Sequence, residues 1–322
     1  MTRCGLMPAR NAAAYQSPAR LMCYCGACLK GKTPLIESRG PEMPRVTRRS
    51  LLGGVMSLAG CCACGPEFIQ NTAAAAQTVP GSAEYGVKAL FFDVFGTLVD
   101  WRTGIAREAE AHLKPRGYAL DWLAFADAWR AQYQPAMEEV RSGGIPFARL
   151  DVLHRRMLDR LLPQFGIKDL PEDTTRSLNL AWHRLDAWPD VKAGFDRLAN
   201  NFLLAPVSNA NIFLMADLAR RNQLRFDAIL GAEIAGDYKP KPRVYLAAAE
   251  AFDLPPGECM MVSAAAHTGD IVGAKTVGLR VASIARPDEF GPGTAVSVPK
   301  ESVDVVAQNL IDLADKLSGG RR

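Results

Sequence analysis

With 322 residues, 48% of them apolar, the chain can bury a large core, and at 22% charged residues it does not have the composition of a disordered or fibrous protein. Its formal charge of +4 is concentrated at one end: residues 1–49 hold nine Lys and Arg against two Glu, leaving 29 basic and 32 acidic residues from position 50 onward. The body therefore lacks the basic surface that nucleic-acid binding requires. Seven of the eight cysteines fall between Cys4 and Cys64, and only Cys259 lies in the body, which argues against a disulfide framework there. Cys23, Cys25 and Cys28 could bind metal in principle, but no matching His or Cys cluster follows at finger-like spacing, and they are read as incidental.

Residues 1–80 read as a leader and export signal with little ordered structure. Arg48-Arg49 precedes a short apolar stretch around Leu51, Leu52 and Leu58, too brief to span a bilayer as a mature helix. The pattern resembles a twin-arginine signal, which implies export to the periplasm or cell envelope. Leu58-Ala59-Gly60-Cys61 resembles a lipoprotein cleavage box and makes a lipidated Cys61 a candidate membrane attachment, while the alanines at 73–76 offer a conventional cleavage site. The alternative is an unused leader, or a true start at Met43, with the protein then cytoplasmic.

The body opens with Val87-Lys-Ala-Leu-Phe-Phe-Asp93-Val-Phe95-Gly96-Thr97-Leu-Val-Asp100-Trp101, an apolar run that stops at a carboxylate, a glycine and a hydroxyl. A continuous apolar run predicts a parallel strand covered on both faces, with Asp93 delivered to the crevice beyond the strand end. The alternative on this stretch alone is that Asp93 caps the next turn, with Gly96 and Thr97 shaping it. The stretch resembles the first motif of the haloacid dehalogenase superfamily, in which the leading Asp is a covalent nucleophile. Phosphatases of that superfamily carry an acid two residues later, where it protonates an alkoxide leaving group. Here that residue is Phe95. A halide leaves as a stable anion without a proton, so the resemblance is to the (S)-2-haloacid dehalogenase branch.

Past Trp101 the pattern turns helical as far as Arg141, then breaks at Ser142-Gly143-Gly144. Further helices are predicted over about 147–165 and about 173–185, which resembles a helical cap inserted behind the first strand. The segment Phe125-Ala-Asp-Ala-Trp129-Arg130-Ala-Gln-Tyr133 resembles the dehalogenase stretch whose Arg receives the halide, and makes Arg130 the candidate. Helical spacing alone also allows Trp129 and Tyr133 to form a core stripe with Arg130 in solvent. His154 and His183 have no metal-ligand partner at i+4 and read as ordinary surface or interhelical residues.

A second buried strand ends in Val207-Ser208-Asn209 and resembles the motif whose hydroxyl and amides hold the substrate anion; Ser208 or Asn209 could also simply cap the next helix. A strand over 226–233 is followed by Lys239-Pro240, which resembles the third motif, whose Lys neutralises the nucleophile and the substrate anion. Tyr245 matches a dehalogenase tyrosine by its spacing from that Lys. The fourth motif runs from Cys259 through Ser263-Ala264-Ala265-Ala266-His267 to Asp270. Counting back from Asp270, the position of the phosphatases' magnesium-binding Asp is Ala266, which weakens a metal site. Asp270 resembles the residue that serves water in ester hydrolysis, and His267 could assist water or halide, or only brace the loop. A strand over 278–284, an edge strand near 303–306 and an amphipathic helix over 309–317 close the chain.

These readings predict an α/β protein: a Rossmann-like doubly wound parallel sheet over 81–101 and 190–322, with a helical cap over 102–189. The resemblance implies hydrolytic dehalogenation of short 2-haloalkanoic acids through an aspartyl ester, with no cofactor and no metal. Asp93, Lys239, Asp270, Thr97 and Arg130 would be catalytic, and Phe95, Ser208, Asn209, Tyr245 and His267 would bind substrate. The partner is a small haloacid, and a homodimer is compatible with the resemblance. The alternatives are a phosphatase or phosphonatase of the same superfamily and a non-catalytic exported binding protein.

Overall fold

A computed structural model describes residues 81–82, 84–295 and 302–319. The predicted leader, with Arg48-Arg49 and Cys61, lies outside the described residues.

Six parallel strands form one sheet: β1 (Ala89–Phe92), β2 (Leu203–Ser208), β3 (Leu230–Gly231), β4 (Cys259–Ala264), β5 (Arg280–Ile284) and β6 (Val305–Ala307). Their spatial order is β3-β2-β1-β4-β5-β6, the doubly wound Rossmann-type arrangement. The chain winds outward from β1 on one side and from β4 on the other, so the topological switch point lies between β1 and β4. All four residues of β1 are buried, because period-two alternation sends them to two cores. Leu90 and Phe92 pack on one face, with the Trp101, Phe195 and Leu313 core. Ala89 and Phe91 pack on the other, with Val244, Tyr245 and Ile271.

The segment between β1 and β2 is helical: α1 (Trp101–Leu113), α2 (Trp122–Ala131), α3 (Tyr133–Arg141), α4 (Leu150–Leu161), α5 (Glu172–Asn179) and α6 (Val191–Leu198). The helical pattern expected as far as Arg141 is thus divided into three. A short 3-10 turn ending at Gly117, whose φ is +86°, separates α1 from α2. Asp100 and Asp121 cap α1 and α2 by accepting from Thr103 N and Ala124 N. The strand expected over 226–233 is also shorter than its apolar pattern suggested. Only Leu230 and Gly231 pair with β2, and α8 (Ala232–Ala235) follows after α7 (Ile212–Arg221). Beyond these come α9 (Pro242–Ala251), α10 (Thr268–Thr276) and α11 (Leu310–Leu317).

His154 and His183 are both buried rather than on the surface. His154 stacks on Trp182 at 4.3 Å, and burial pushes its pKa down to about 3, so it is a neutral packing ring. His183 joins the inserted helices to the core: Nδ1 meets Asp217 Oδ2 of α7 at 2.8 Å, and Nε2 meets Asp151 Oδ1 of α4 at 3.0 Å. Burial opposes the charged ring, but the Asp151 and Asp217 carboxylates outweigh it and raise the pKa. A group whose proton affinity rises on folding contributes stability in full below its unfolded value of about 6.5, and loses it as pH climbs through the folded value. The thermal midpoint of wild type over His183→Gln is therefore expected to be largest at mildly acidic pH and to shrink upward from there. A difference constant with pH would show that the ring acts by packing alone.

Candidate active site

Asp93 is the first residue past β1, and its N–H donates to Val262 O of β4 at 2.9 Å, so the carboxylate stands at the switch point. Gly96, at φ +88°, then turns the chain back. That turn brings the Thr97 hydroxyl 2.7 Å from Asp93 Oδ2, while the same Oγ1 accepts from Ala264 N at 2.8 Å. Since the amide fills the acceptor role, the hydroxyl proton is free to point at Asp93. Lys239 arrives from the loop before α9 and bridges two carboxylates, with Nζ 2.9 Å from Asp93 Oδ1 and 2.6 Å from Asp270 Oδ2. Its backbone is gripped from both sides: Asn209 Oδ1 accepts from Lys239 N at 2.8 Å, and Arg141 of α3 donates to Lys239 O at 2.7 Å. His267, at the start of α10, places Nδ1 2.9 Å from Asp93 Oδ2.

These neighbours set the charges. Burial disfavours an ionised Asp93, yet the Lys239 ammonium and the His267 ring outweigh it and hold the carboxyl well below the usual range. Burial likewise opposes charge on Lys239, and Asp270 and Asp93 overcome it and raise the pKa. Asp270 is the one pushed up, by burial first and by the neighbouring Asp93, with Lys239 pulling the other way. The nucleophile candidate is thus ionised and ready, and the second carboxylate is its ion-paired neighbour.

A cavity of 730 Å³ opens over this cluster, between the strand ends and the inserted helices. Asp93, Phe95, Arg130, Asn209, Lys239, His267 and Asp270 all line it, with Trp101, Tyr133 and Phe290. The Arg130 guanidinium lies 4.1 Å from the Tyr133 ring centroid and 5.3 Å from that of Trp101. Its Nη1 is buried without a hydrogen-bond partner among the described residues. The helix therefore turns Arg130 into the cavity and not to solvent.

The sequence matches the haloacid dehalogenase-like hydrolase family over residues 87–278, more than half of the chain. It belongs to the haloacid dehalogenase-like hydrolases. Among curated proteins, the (S)-2-haloacid dehalogenase 1 of Pseudomonas sp. (strain CBS-3) is 30% identical over 210 residues, covering 63% of this chain and 88% of that protein. Among solved structures, the defluorinating L-2-haloacid dehalogenase Rha0230 superposes with a TM-score of 0.70 at 38% identity, covering 74% of this chain and 99% of that one. The L-2-haloacid dehalogenase PA0810 gives a TM-score of 0.68 at 42% identity, over 72% and 99% of the two chains.

In this hydrolase three of the residues expected at the site do not line the cavity. Thr97 acts on Asp93 from behind, as described above. Ser208, expected to bind substrate, is fully buried, and its Oγ accepts from Ala210 N at 3.1 Å, which makes it a turn-forming residue. Tyr245 is also fully buried; its hydroxyl donates to Asp270 Oδ1 at 3.1 Å, so it braces the second carboxylate instead of touching substrate. Ser263 adds a further donor to Asp270 Oδ2 at 3.3 Å.

One residue of the hydrolase escaped the sequence reading altogether. Glu289, in the loop after β5, is buried, and its Oε1 lies 2.8 Å from His267 Nε2 and 3.3 Å from Trp101 Nε1. A Cβ at Gly96 would fall 2.1 Å from Glu289 Oε1, so that glycine is needed for space as well as for its backbone angle. Arg286 fastens this loop to the nucleophile turn: Nε donates to Thr97 O at 2.8 Å, and the guanidinium forks onto Asp190 at 2.8 and 3.0 Å. The sequence offered only a weak signal, two acidic residues and a Phe between a Pro and a Gly.

The residues do not fit a divalent metal. Asp93, His267 and Asp270 offer ligand atoms within 4.8 Å of one another. However, the Lys239 ammonium already sits between the two carboxylates where a cation would go, and position 266, beside them, is an alanine. Magnesium prefers an oxygen shell and several carboxylates, and here a fixed positive charge would repel it.

Proposed function

We propose that this hydrolase cleaves the carbon–halogen bond of short (S)-2-haloalkanoic acids, giving 2-hydroxy acids through an ester on Asp93. One observation carries the reading: an ionised Asp93 shares its cavity with Arg130, whose Nη1 has no hydrogen-bond partner among the described residues, while the side chain at position 95 is a phenyl ring with no proton to give. Phe95 packs edge-on to Trp182 at 5.5 Å and Tyr133 at 6.3 Å, which makes the leaving-group region apolar apart from the guanidinium. Such a site stabilises a departing anion and has no acid at position 95 to protonate an alkoxide. The named relatives are dehalogenases of the same substrate class.

In the first half-reaction an Asp93 oxygen attacks the carbon from the side opposite the halogen. The new C–O bond forms as the carbon–halogen bond breaks, and halide leaves with its electron pair towards Arg130 and Phe95. Lys239 and Asn209 are placed to hold the substrate carboxylate. In the second half, water adds to the Asp93 carbonyl carbon and the ester opens, so the carbon is inverted once. The inserted helices would limit water around the reacting carbon. The paired arginines of the leader support export, and Cys61 offers a site for lipid attachment.

The test is halide release from each enantiomer of 2-chloropropionate with a chelator present. Release from the S enantiomer alone, undiminished by the chelator, is expected. Phosphate release that depends on added magnesium, with no halide from either enantiomer, would replace this reading by the phosphatase one.

A further inference from the structure

We propose that the cavity is built for a 2-haloacid whose third carbon carries a bulky uncharged group, an aromatic ring above all, and that Phe290 and Gly269 set this preference. The inference rests on the dehalogenase reading above. At 730 Å³ the cavity falls inside the range of about 300–1,000 Å³ that receives drug-sized ligands. A three-carbon haloacid fills only a small part of it. Burial sorts the lining residues into a floor and a rim. Asp93, Phe95, Asn209 and Lys239 are buried and belong to the floor. Ala131, Gln134, Pro240, Thr268, Gly269 and Phe290 are exposed and make the rim.

The reacting carbon bears a carboxylate, a halogen, a hydrogen and a side chain. In the first half-reaction Lys239 and Asn209 take the carboxylate, Arg130 and Phe95 face the halogen, and Asp93 approaches from the opposite side. The floor is then full, and the rim is the direction left for the side chain. None of the rim residues is ionisable. Among the charged lining residues outside the Asp93 cluster, Arg130 faces the halogen. The other, Asp127, has both carboxylate oxygens taken by Arg102, through Nε and Nη2 at 2.7 Å each. A charged side chain on the substrate would lose water there and gain no free partner of opposite sign, whereas an apolar one loses nothing.

Two rim residues give the direction its character. Phe290 is 40% exposed, yet its loop is fastened on both sides of the argument's key contacts: Glu289 next to it is buried against Trp101, and Arg286 forks onto Asp190. The Phe290 ring meets the Trp101 indole at 5.8 Å and 64°, so an aromatic edge is held at the cavity mouth with part of its surface uncovered. Aromatic rings packed edge-on or offset gain more than their buried area alone supplies, and a substrate ring can use that where a methyl group cannot. Gly269 lies in the first turn of α10, where a Cβ would meet nothing within 4 Å. Its φ is not in the left-handed region, and glycine disfavours a helix relative to alanine, so neither backbone nor packing calls for it. Its effect is to leave the rim open.

Bromide release by the full chain, with the hydroxy acid product measured alongside, compares S-2-bromopropionate with S-2-bromo-3-phenylpropionate, which share a leaving group and differ by the ring. The ring compound is expected to have a kcat/KM about tenfold or more higher, since even one methylene in an apolar pocket is worth about 10–200-fold. S-2-bromosuccinate, with a second carboxylate in place of the ring, should fall about tenfold or more below S-2-bromopropionate. Phe290→Ala removes the aromatic edge and Gly269→Leu fills the open rim. Each should cut the ratio of the ring compound's kcat/KM to that of S-2-bromopropionate by about tenfold. A ring compound turned over no better than S-2-bromopropionate, or no better than S-2-bromosuccinate, would overturn this inference alone, and neither result needs a variant to fold. A ratio unmoved in both variants would do the same. No bromide from any of the three would overturn the dehalogenase reading and this inference with it.

Discussion

Replacing Asp93 with Asn is expected to abolish halide release while leaving a folded protein. The amide keeps the shape of the carboxylate, and Thr97 and the backbone contact to Val262 remain available to it. Lys239 keeps Asp270 as a partner, so no buried cation is stranded. What is lost is the proposed nucleophile: an amide oxygen does not displace halide from carbon at a useful rate, and among the described residues Asp270 is the other carboxylate lining the cavity beside it. Asp270 is held by Lys239, Tyr245 and Ser263 and cannot take over. The fall in turnover should be at least about 10⁴-fold, the scale seen when a covalent catalyst is removed. Halide measured by ion chromatography, with circular dichroism as a check on folding, decides the matter. A variant that retains a burst of halide would show that Asp93 is not the attacking group.

The second large effect is expected at Lys239. Lys239→Met keeps much of the side-chain volume but leaves Asp93 and Asp270 buried together without the cation between them. Breaking a buried ion pair in this way costs about 3–5 kcal/mol, which urea unfolding will read directly. Chemistry suffers separately. Without the ammonium, burial and mutual repulsion raise the proton affinity of the Asp93 and Asp270 pair, so the acid limb of the halide burst moves towards neutral pH. Loss of a positive group that also faces the substrate carboxylate should lower the burst rate by a further 10²–10³-fold or so, on the scale of a removed electrostatic contact. An unchanged acid limb would mean that Lys239 is structural only.

Much of the site was readable because its signals are local. Asp93, Phe95, Gly96 and Thr97 fall within five consecutive positions, and a buried strand followed by a tight turn is enough to place them together. Lys239 and Asp270 were picked out by resemblance to the family's third and fourth motifs, as Tyr245 was by its offset from Lys239. Tyr245 shows the limit of such offsets. Its spacing from Lys239 is right, but α9 turns it towards Gly273 and Asp270, where a Cβ at Gly273 would lie 2.8 Å from its hydroxyl. Ser208 fails for a related reason: a serine at a strand end can satisfy the next turn as readily as a ligand.

The sequence by itself determined the first strand, the place of Asp93 at its end and the absence of an acid at position 95, since strand periodicity and turn chemistry depend on near neighbours. Only the tertiary structure decided that Arg130 faces the cavity, and that Trp101 and Phe290 close it. It alone brought Glu289 from the loop after β5 to His267 and to Trp101, the latter 188 positions away in the chain. A loop has no repeating pattern to reveal which way its side chains point. Its conformation is set by the packed surfaces and ion pairs it lands on, here the Arg286 fork to Asp190 and the space left by Gly96.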